Sequence, residues 1–265
     1  CDAMLLLDDA DLKLAARAAW FGVSINRGQT CIAVRRVFVP RPRMEEFAAL
    51  LKEQARAAPM RLALPAAAGQ MKRLADEAVA AGASLLLPVE TDGTTVTPAL
   101  LMGVRPEMAL CREASFAPIL GVLPYDSLEQ ALEDEARCPF ALSASIFSAD
   151  LRKAAALALR LRAGSVCVND AVAPTAHPAT PFGGRGASGW GSTQGAEGLL
   201  GMTVPQVVST RGGTWRPHYP TADPAKAEAQ LELLRGMLRA KHAPTWWQRM
   251  KGWWKLVRAA MRGGL

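Results

Sequence analysis

Residues 143–169 read Ser143-Ala144-Ser145-Ile146-Phe147, a helical pattern from Leu151 to Leu161, and then Ser165-Val166-Cys167-Val168-Asn169. The two outer segments are short and apolar, which predicts buried strands. Gly164 lies between the helical pattern and the second segment, and we expect it to end the helix because glycine suits a helix C-terminus. Strand, helix and strand in this order are typical of parallel strands joined by a crossover helix. Residues 143–169 therefore predict an α/β domain with a largely parallel sheet.

The same alternation extends toward the amino end of the chain. Asp8-Asp9-Ala10-Asp11 precedes a helical pattern that begins at Leu12, and acidic side chains suit the unpaired amides of a first helical turn. We expect this helix to end near Gly28, and we expect a strand at Val34–Val39 that is stopped by Pro40. Further helices are predicted at Met44–Ala58, Gly69–Ala81 and Leu128–Arg137, and further strands at Ser84–Leu87, Thr97–Val104 and Ile119–Leu123.

Beyond Asn169 the pattern changes to a long loop rich in Pro and Gly, Asp170–Gly195. A loop of this length inside a domain usually carries function. Residues 211–224 are expected to form a linker, and two helices are expected to follow it, at 224–241 and 245–262.

Charge divides the chain into two parts. The net charge is +7, but residues 1–204 hold 20 Lys and Arg against 21 Asp and Glu, whereas residues 205–265 hold 11 against 3. The basic character therefore belongs to the tail, where five of the seven tryptophans also lie, and we expect no nucleic-acid partner. The predicted organisation is a domain at residues 1–210, followed by a linker and a basic, Trp-rich helical tail at residues 211–265.

The cysteines are odd in number and widely spaced: Cys1, Cys31, Cys111, Cys138 and Cys167. This pattern argues against a disulfide framework and indicates a reducing compartment, which we expect to be the cytoplasm. The sequence contains no Cys-x-x-Cys pair and no cluster of His and Cys, so no metal site is predicted. No apolar run approaches the roughly 18–20 residues that span a bilayer.

One cysteine lies on a loop that could carry chemistry. Gly28-Gln29-Thr30-Cys31 joins the first predicted helix to the strand that begins at Val34. A loop held between rigid elements is a good position for a nucleophile, yet most lone cysteines are buried as small apolar side chains. The residues alone leave both interpretations open. Arg35 and Arg36 follow, and a positive charge here could activate the Cys31 thiolate. We expect instead that they alternate between the two faces of the strand, with one of them pairing with an acid.

A glycine-rich segment opens with Pro181-Phe182-Gly183-Gly184 and contains Gly184-x-Gly186-x-x-Gly189. This spacing has the form of a dinucleotide-binding fingerprint, but the fingerprint follows a strand, and here a proline-rich loop precedes it. We therefore expect a tight glycine loop that packs beneath a site.

The chain strongly resembles the aldehyde dehydrogenase superfamily in three loop motifs, Gly28-Gln29-Thr30-Cys31, Pro181-Phe182-Gly183-Gly184 and Ser188-Gly189-x-Gly191. Further segments resemble the family in the same order: Asp9–Leu12, Pro98–Leu101, Glu113–Pro118, Leu142–Phe147 and Ala163–Asn169. The resemblance covers about residues 2–204. It implies the layered open α/β sheet of the family's catalytic domain, to which this chain adds a helical C-terminal tail.

The resemblance implies a small-molecule aldehyde as substrate and NAD or NADP as cofactor, with an acid or a thioester as product. Cys31 matches the family nucleophile, whose thiolate forms a thiohemiacetal with the aldehyde, and the Cys31 backbone N–H would hold part of the oxyanion. Asn169 matches a residue near the substrate, Phe182 a residue of the aldehyde tunnel, and Phe116 a cofactor-binding residue. A homo-oligomer is implied as well.

In the family a dinucleotide-binding domain precedes the region that this chain resembles. The general-base glutamate would lie a few residues before Cys1, and the asparagine that completes the oxyanion hole would lie further upstream. We therefore expect this chain by itself to be inactive. Ala114 stands where the family has a glutamate that holds the nicotinamide ribose, so we expect weaker or altered cofactor binding.

The second tail helix is amphipathic. One face is apolar and rich in tryptophan, with Trp246, Trp247, Met250, Trp253, Trp254, Val257 and Met261, and the other is basic, with Arg249, Lys251, Lys255, Arg258 and Arg262. This pattern is typical of a helix on an anionic membrane surface, and it also fits packing against the domain or a partner subunit. Two functions stay open: the catalytic part of an aldehyde dehydrogenase, or a non-catalytic module of that family whose tail attaches it to a membrane or a partner.

Overall fold

Strands and helices alternate along most of the chain. The computed structural model describes residues 2–55, 59–172, 177–214, 216, 219 and 221–263. The strands are β1 (Asp2–Leu6), β2 (Val34–Pro40), β3 (Met60–Arg61), β4 (Ser84–Leu85), β5 (Thr91–Asp92), β6 (Thr95–Val96), β7 (Ala99–Met102), β8 (Ile119–Tyr125), β9 (Phe140–Ala141), β10 (Ser143–Phe147), β11 (Ser165–Val168) and β12 (Arg185–Gly186). The helices are α1 (Leu12–Ser24), α2 (Met44–Gln54), α3 (Pro65–Ala80), α4 (Leu128–Ala136), α5 (Leu151–Ala158), α6 (Gly195–Gly201), α7 (Pro224–His242) and α8 (Trp246–Gly263).

The chain divides into two compact units, Cys1–Val204 and Pro205–Leu265. In the first unit, seven strands form one sheet in the order β11-β10-β1-β2-β8-β7-β4. Neighbouring strands are parallel, except that β4 runs antiparallel to β7. The βαβ unit predicted at residues 143–169 forms one edge, where Ser143 pairs with Ser165. The predicted α/β class with a largely parallel sheet is confirmed, and the domain boundary at residue 210 stays a prediction.

Helices cover both faces of this sheet. Helices α1 and α2 pack against one apolar core, and helices α3, α4 and α5 pack against the other. Strand β1 contributes to both cores, because successive side chains of a strand point to opposite faces. Met4 and Leu6 enter the first core, and Ala3 and Leu5 enter the second. Two small antiparallel sheets, β3-β6-β5 and β12-β9, lie outside the main sheet.

The sequence patterns do not predict β1, although it lies near the centre of the sheet. Its residues, Asp2–Leu6, include no β-branched or aromatic side chain, and Ala, Leu and Met favour helices. The segment is a strand because a central parallel strand is buried on both faces, which favours a continuous apolar run. Helix α6 is also absent from the predictions, since glycines begin and end its seven residues.

Some predicted boundaries differ from the structure. Helix α2 ends at Gln54, before the predicted end at Ala58, and residues 56–58 lie outside the described part of the chain. Helix α5 ends at Ala158, so Gly164 does not end this helix as predicted. Gly164 directly precedes β11 instead. Its lack of a side chain there allows a close contact with Gly183.

In the second unit, α7 and α8 form a helical hairpin at the positions predicted for the two tail helices. The helices approach closely where glycine leaves room: a Cβ on Gly252 of α8 would collide with the Ala240 backbone of α7. Gly236 of α7 faces the backbone of Leu256, whose N atom would lie 3.2 Å from a Cβ there. No helix in the described ranges combines the length and the apolar character that a membrane span needs.

Candidate active site

Cys31 lies on the turn that leads into β2. The turn before it, Ile25–Gly28, is a 3-10 helix in which Asn26, Arg27 and Gly28 have φ of 46°, 59° and 72°. Positive φ is costly for residues other than glycine, so neighbouring contacts must hold this conformation. Gln29 provides one of them, because its Oε1 accepts a hydrogen bond from the N–H of residue 63 at 2.7 Å. The Cys31 side chain is exposed, so the interpretation of this residue as a buried apolar cysteine is wrong.

Gly28 brings the Cys31 turn into contact with the segment 113–118. A Cβ on Gly28 would lie 2.5 Å from the Ala117 carbonyl carbon and 2.6 Å from the Pro118 nitrogen. Both distances are well inside van der Waals contact, and φ is positive as well. Glycine is therefore required here for two separate reasons, the backbone conformation and the close approach.

One buried arginine joins the same two segments. Arg35 Nη1 donates to the Ala117 carbonyl oxygen and Nη2 donates to the Gly28 carbonyl oxygen, both at 2.5 Å. Burial lowers the pKa of Arg35 to about 10, while the Asp2 carboxylate acts in the opposite direction. The guanidinium is still charged at neutral pH, so it places a fixed positive charge beside the turn that carries Cys31.

Arg36, the next residue of β2, makes different contacts, as the strand alternation predicts. Its Nη2 lies 3.4 Å from Glu135 Oε1 on α4, and its Nη1 donates to the Glu135 carbonyl oxygen at 3.1 Å. The guanidinium carbon also lies 5.7 Å from the centroid of the Phe38 ring. The prediction that one of the two arginines pairs with an acid is confirmed for Arg36, and Arg35 is the one that faces the Cys31 turn.

A cavity of about 190 Å³ opens beside Cys31. Its lining comes from residues 30–31 with Arg35, from residues 114–116, from Phe140 and Leu142, and from residues 187–188. The structure therefore brings together two of the predicted site residues, Cys31 and Phe116. This lining, as far as the chain is described, includes neither a carboxylate nor an imidazole, so it offers a thiol and a guanidinium without a general base.

The glycine-rich loop forms one wall of this cavity. Its strand β12 pairs antiparallel with β9, and Ser188 Oγ accepts a hydrogen bond from the Ala141 N–H at 3.0 Å. Gly164 packs against the loop, because a Cβ there would collide with the Gly183 carbonyl oxygen. The structure thus has the predicted tight glycine loop at the wall of a cavity, while residues 173–176 of the predicted long loop lie outside the described residues.

Phe182 lies on the same loop but does not line the cavity. Its backbone pairs with that of Thr193: the Phe182 N–H donates to the Thr193 carbonyl at 2.9 Å, and the Thr193 N–H donates back at 2.8 Å. The side chain is half-buried. The assignment of Phe182 to an aldehyde tunnel stays a prediction.

Asn169 and Cys31 lie at opposite ends of the parallel strands. Cys31 precedes the amino end of β2, whereas Asn169 follows the carboxyl end of β11, and the strands between them are parallel. Asn169 Nδ2 donates to the Ser148 carbonyl at 2.8 Å, and its Oδ1 accepts from the Ser148 N–H at 2.9 Å. The structure does not bring Asn169 to the Cys31 cavity, and its role near the substrate stays a prediction.

Residues 114–116 are the part of the cavity lining that could face a cofactor. The Phe116 ring is half-exposed, and the buried Ser115 hydroxyl has no hydrogen-bond partner among the described residues. Glu113 Oε2 accepts from Arg73 Nη2 of α3 at 2.5 Å, so this carboxylate is paired away from the cavity, and Ala114 offers no carboxylate. The accessible Phe116 ring thus lies beside Cys31 in the cavity lining, and its role in cofactor binding stays a prediction.

The cavity lining includes residues that the predicted site does not contain, among them Arg35 and Ser115. Arg35 could have been found, because an arginine inside an otherwise apolar strand is buried and needs polar partners. Ser115 carries no such signal, since a serine next to a loop is compatible with full exposure. Both positions depend on the contact between the Cys31 turn and the segment 113–118, which joins residues far apart in the sequence.

The other described cysteines are less accessible than Cys31. Cys111 and Cys138 are buried, and Cys167 is half-buried. Burial raises the pKa of the Cys111 thiol to about 12 and also raises the pKa of Cys167. In the part of the chain that the structure describes, no three His, Cys, Asp or Glu side chains come together as a metal site would require.

Comparison with known proteins agrees with the fold. The sequence profile of the aldehyde dehydrogenase family matches residues 1–208. The chain is 35% identical over 246 residues to 4,4'-diapolycopene aldehyde oxidase of Methylomonas sp, which covers 89% of the chain and 46% of that protein. It is 37% identical over 232 residues to vanillin dehydrogenase of Pseudomonas fluorescens, with 82% and 47% covered.

A solved structure shows the same likeness. The NADP-dependent glyceraldehyde-3-phosphate dehydrogenase from Bacillus halodurans C-125, complexed with NADP, is similar with a TM-score of 0.70 and 30% sequence identity. The similarity covers 75% of this chain and 44% of that chain. The chain thus spans about half the length of the curated relatives it matches.

Proposed function

The chain belongs to the aldehyde dehydrogenase family of oxidoreductases, and from this premise we propose that it is the catalytic part of an enzyme that oxidises a small-molecule aldehyde with NAD or NADP. The exposed Cys31 thiol beside a cavity is the observation that carries the proposal. The similarity to a vanillin dehydrogenase supports an aldehyde as substrate. The similarity to a solved NADP complex supports a nicotinamide cofactor.

In the proposed reaction, the Cys31 thiolate attacks the carbonyl carbon, and the carbonyl π electrons move to the oxygen to give a thiohemiacetal. The Cys31 backbone N–H holds part of the oxyanion charge, and one such donor typically contributes roughly 3 kcal/mol. Bound NAD or NADP supplies the acceptor for the hydride that leaves the former carbonyl carbon. Water then releases the acyl group from Cys31 as an acid, or another thiol releases it as a thioester, and the Cys31 thiol is restored.

The proposal assigns the missing chemistry to residues outside this chain. Within the described part of the chain, the cavity lining includes no carboxylate or imidazole that could act as the general base. The chain covers 46% and 47% of two relatives. We propose that the complete protein supplies the general-base glutamate and the main dinucleotide-binding domain from the half that this chain does not match.

We also propose that the complete enzyme is a cytoplasmic homo-oligomer. Val204, Val207 and Val208 are each at least 75% exposed in a segment that forms no strand within the described chain. Such a β-branched segment with an open backbone is a template for pairing with another chain. A second copy of the same protein is the partner that the family resemblance implies.

The test of the catalytic proposal uses the complete reading frame that contains these residues. Cys31→Ser is expected to abolish aldehyde-dependent formation of NADH or NADPH, followed by nicotinamide absorbance. Cys167→Ser is the matched control, because Cys167 lies on β11 outside the cavity lining, and it should retain turnover. Full turnover in the Cys31→Ser protein would overturn the assignment of the nucleophile.

A non-catalytic module is the second candidate function, and Ala114 favours it. The family resemblance places a ribose-binding carboxylate at this position, and the structure pairs the neighbouring Glu113 with Arg73. Calorimetric titration of the complete protein with NAD and with NADP separates the two candidates. Binding of neither cofactor, together with no turnover of any aromatic or aliphatic aldehyde, would support the non-catalytic module.

A further inference from the structure

Helix α8 presents three different faces. At about 100° per residue, seven apolar side chains of the sequence fall on one side. We call the six whose side chains the structure describes the aromatic face: Trp246, Trp247, Met250, Trp253, Trp254 and Val257. A second set, the basic flank, borders it on one side: Lys251, Lys255 and Arg258. Gly252 and Leu256 fall on the remaining side.

The closest helix–helix contacts among the described residues of the hairpin lie on the third side. The Gly252 backbone lies against the Ala240 backbone of α7, and Leu256 faces Gly236. The sequence pattern predicts that the cations occupy the side of α8 opposite the tryptophans. In the structure α7 packs against that side, and the basic flank lies between α7 and the aromatic face. Among the described side chains, the closest contacts of the hairpin thus lie outside the aromatic face.

The aromatic face is left accessible. Its six side chains are between 36% and 71% exposed, and the rings of Trp246 and Trp247 meet edge to face with centroids 4.7 Å apart. An apolar stripe of this size on a water-exposed helix marks an interaction surface. The composition of the stripe and of its border indicates which kind of partner fits.

We propose that the aromatic face of α8 binds an anionic membrane surface, with α8 lying in the plane of the interface. Four of the six side chains are tryptophan, whose apolar ring and N–H donor suit the boundary between headgroups and acyl chains. Residues 243–265 contain no Asp or Glu, and the basic flank is exposed, so the charge is complementary to anionic lipid.

The orientation follows from the same three faces. With the tryptophans at the acyl boundary, the basic flank lies at the level of the lipid phosphates, and α7 lies on the water side of α8. Arg249 does not belong to the lipid contact, because its Nε donates to the Ala243 carbonyl at 2.8 Å in the turn between the helices. The attachment is peripheral and reversible, and it needs no membrane span.

Co-sedimentation of the full 265-residue chain with vesicles tests the proposal. We expect binding to vesicles of phosphatidylglycerol and phosphatidylcholine at low salt, weaker binding at about 0.15 M salt, and little binding to phosphatidylcholine alone. Replacing the basic flank by Gln should weaken binding by on the order of 100-fold, since each cation near an anionic surface contributes about fivefold. Tryptophan emission should shift to shorter wavelength in the bound state.

Matched variants distinguish binding through the aromatic face from non-specific adsorption to vesicles. Trp253→Ser with Trp254→Ser should lower vesicle affinity by about 10-fold or more, because these rings bury a large apolar area. Trp190→Ser is the control, since Trp190 is 96% exposed in the first unit and should not change binding. Circular dichroism confirms that each variant keeps its helices.

Two results would overturn the proposal. One is no binding to anionic vesicles at low salt, or unchanged binding in the Trp253→Ser, Trp254→Ser protein. The other is light scattering that shows the aromatic face holding two copies of the chain together, with vesicles unable to compete. Loss of aldehyde oxidation in any variant would not bear on the membrane contact, so the two proposals fail independently.

Discussion

Gly28 lets two loops that are distant in the sequence touch, and its replacement tests how much the site depends on that contact. Gly28→Ala should lower the free energy of unfolding by about 2–5 kcal/mol, because it combines a positive φ with a collision against the Ala117 backbone. Gly103→Ala is the control, since Gly103 has φ of 67° and open space around it. That variant should lose only about 1–2 kcal/mol. Equal losses in urea unfolding would show that the loop contact contributes nothing.

Thiol chemistry distinguishes Cys31 from the buried cysteines of the first unit. Brief treatment with iodoacetamide near pH 8 should label Cys31 and leave Cys111 unlabelled, because the thiolate is the reactive form and burial holds the Cys111 pKa at about 12. Peptide mass mapping measures both sites in the same sample. Unfolding the protein in urea should make Cys111 reactive, which serves as the positive control. Labelling of Cys111 before Cys31 in the folded protein would contradict the observed exposure.

Ala114 gives a gain-of-function test in the complete protein. A carboxylate that accepts hydrogen bonds from both ribose hydroxyls contributes roughly 1.5–3 kcal/mol. Ala114→Glu should therefore tighten NAD or NADP binding by about 10- to 100-fold, measured by titration of cofactor. Ala114→Gln, which has the length without the charge, should give a smaller gain. An unchanged affinity in the Glu variant would mean that another group already binds the ribose.

At the scale of the elements, β2 and α4 are joined by a buried ion pair. Glu135→Ala leaves Arg36, which is 1% exposed, without its carboxylate, and this should cost about 3–5 kcal/mol of unfolding free energy. Asp126→Ala removes the partner of Arg41 in an exposed pair and should cost less than about 1 kcal/mol. Chemical denaturation of both variants tests the difference. A similar loss in the two proteins would show that burial does not matter for the Arg36–Glu135 pair.

The strands show which parts of the fold the sequence could predict. Strand β10, Ser143–Phe147, and the crossover to β11 follow from local apolar patterns and turn residues, and both are observed. Strand β1 could not be predicted in the same way, because Ala, Met and Leu become a strand only through neighbours β10 and β2. Strand β1 lies between β10 and β2, which both follow it in the chain. Local sequence patterns do not show this strand order.

The candidate site was predictable to the extent that its residues share a motif. Cys31 and Phe116 lie in recognisable segments, and the structure places both at one cavity. Asn169 also lies in a recognisable segment. A sequence motif does not show, however, at which end of the strands a residue lies in the folded chain. Arg35 was considered as a charge beside Cys31, but its hydrogen bond to the Ala117 carbonyl oxygen spans 82 residues of chain and could not be predicted locally. Ser115 was missed, because only the fold brings it to the same cavity.

At the scale of the whole molecule, the groups present at the Cys31 cavity predict that this chain alone does not oxidise aldehydes. The described lining of the Cys31 cavity includes no general base, and each missing group is a separate requirement of the reaction. The purified 265-residue chain should therefore form no NADH or NADPH from any aldehyde, while the complete protein does. The complete protein carrying Cys31→Ser is the background control. Turnover by the chain alone would contradict the proposed division of labour.

The exposed segment that carries Val204, Val207 and Val208 also has a kinetic consequence. Backbone amides of residues 206–210 belong to no helix or strand of the described chain, so they should exchange hydrogen for deuterium within seconds. Pairing with a second copy would give these amides acceptors and slow their exchange by orders of magnitude. The isotope uptake of this one peptide would then report, in real time, when two molecules have assembled.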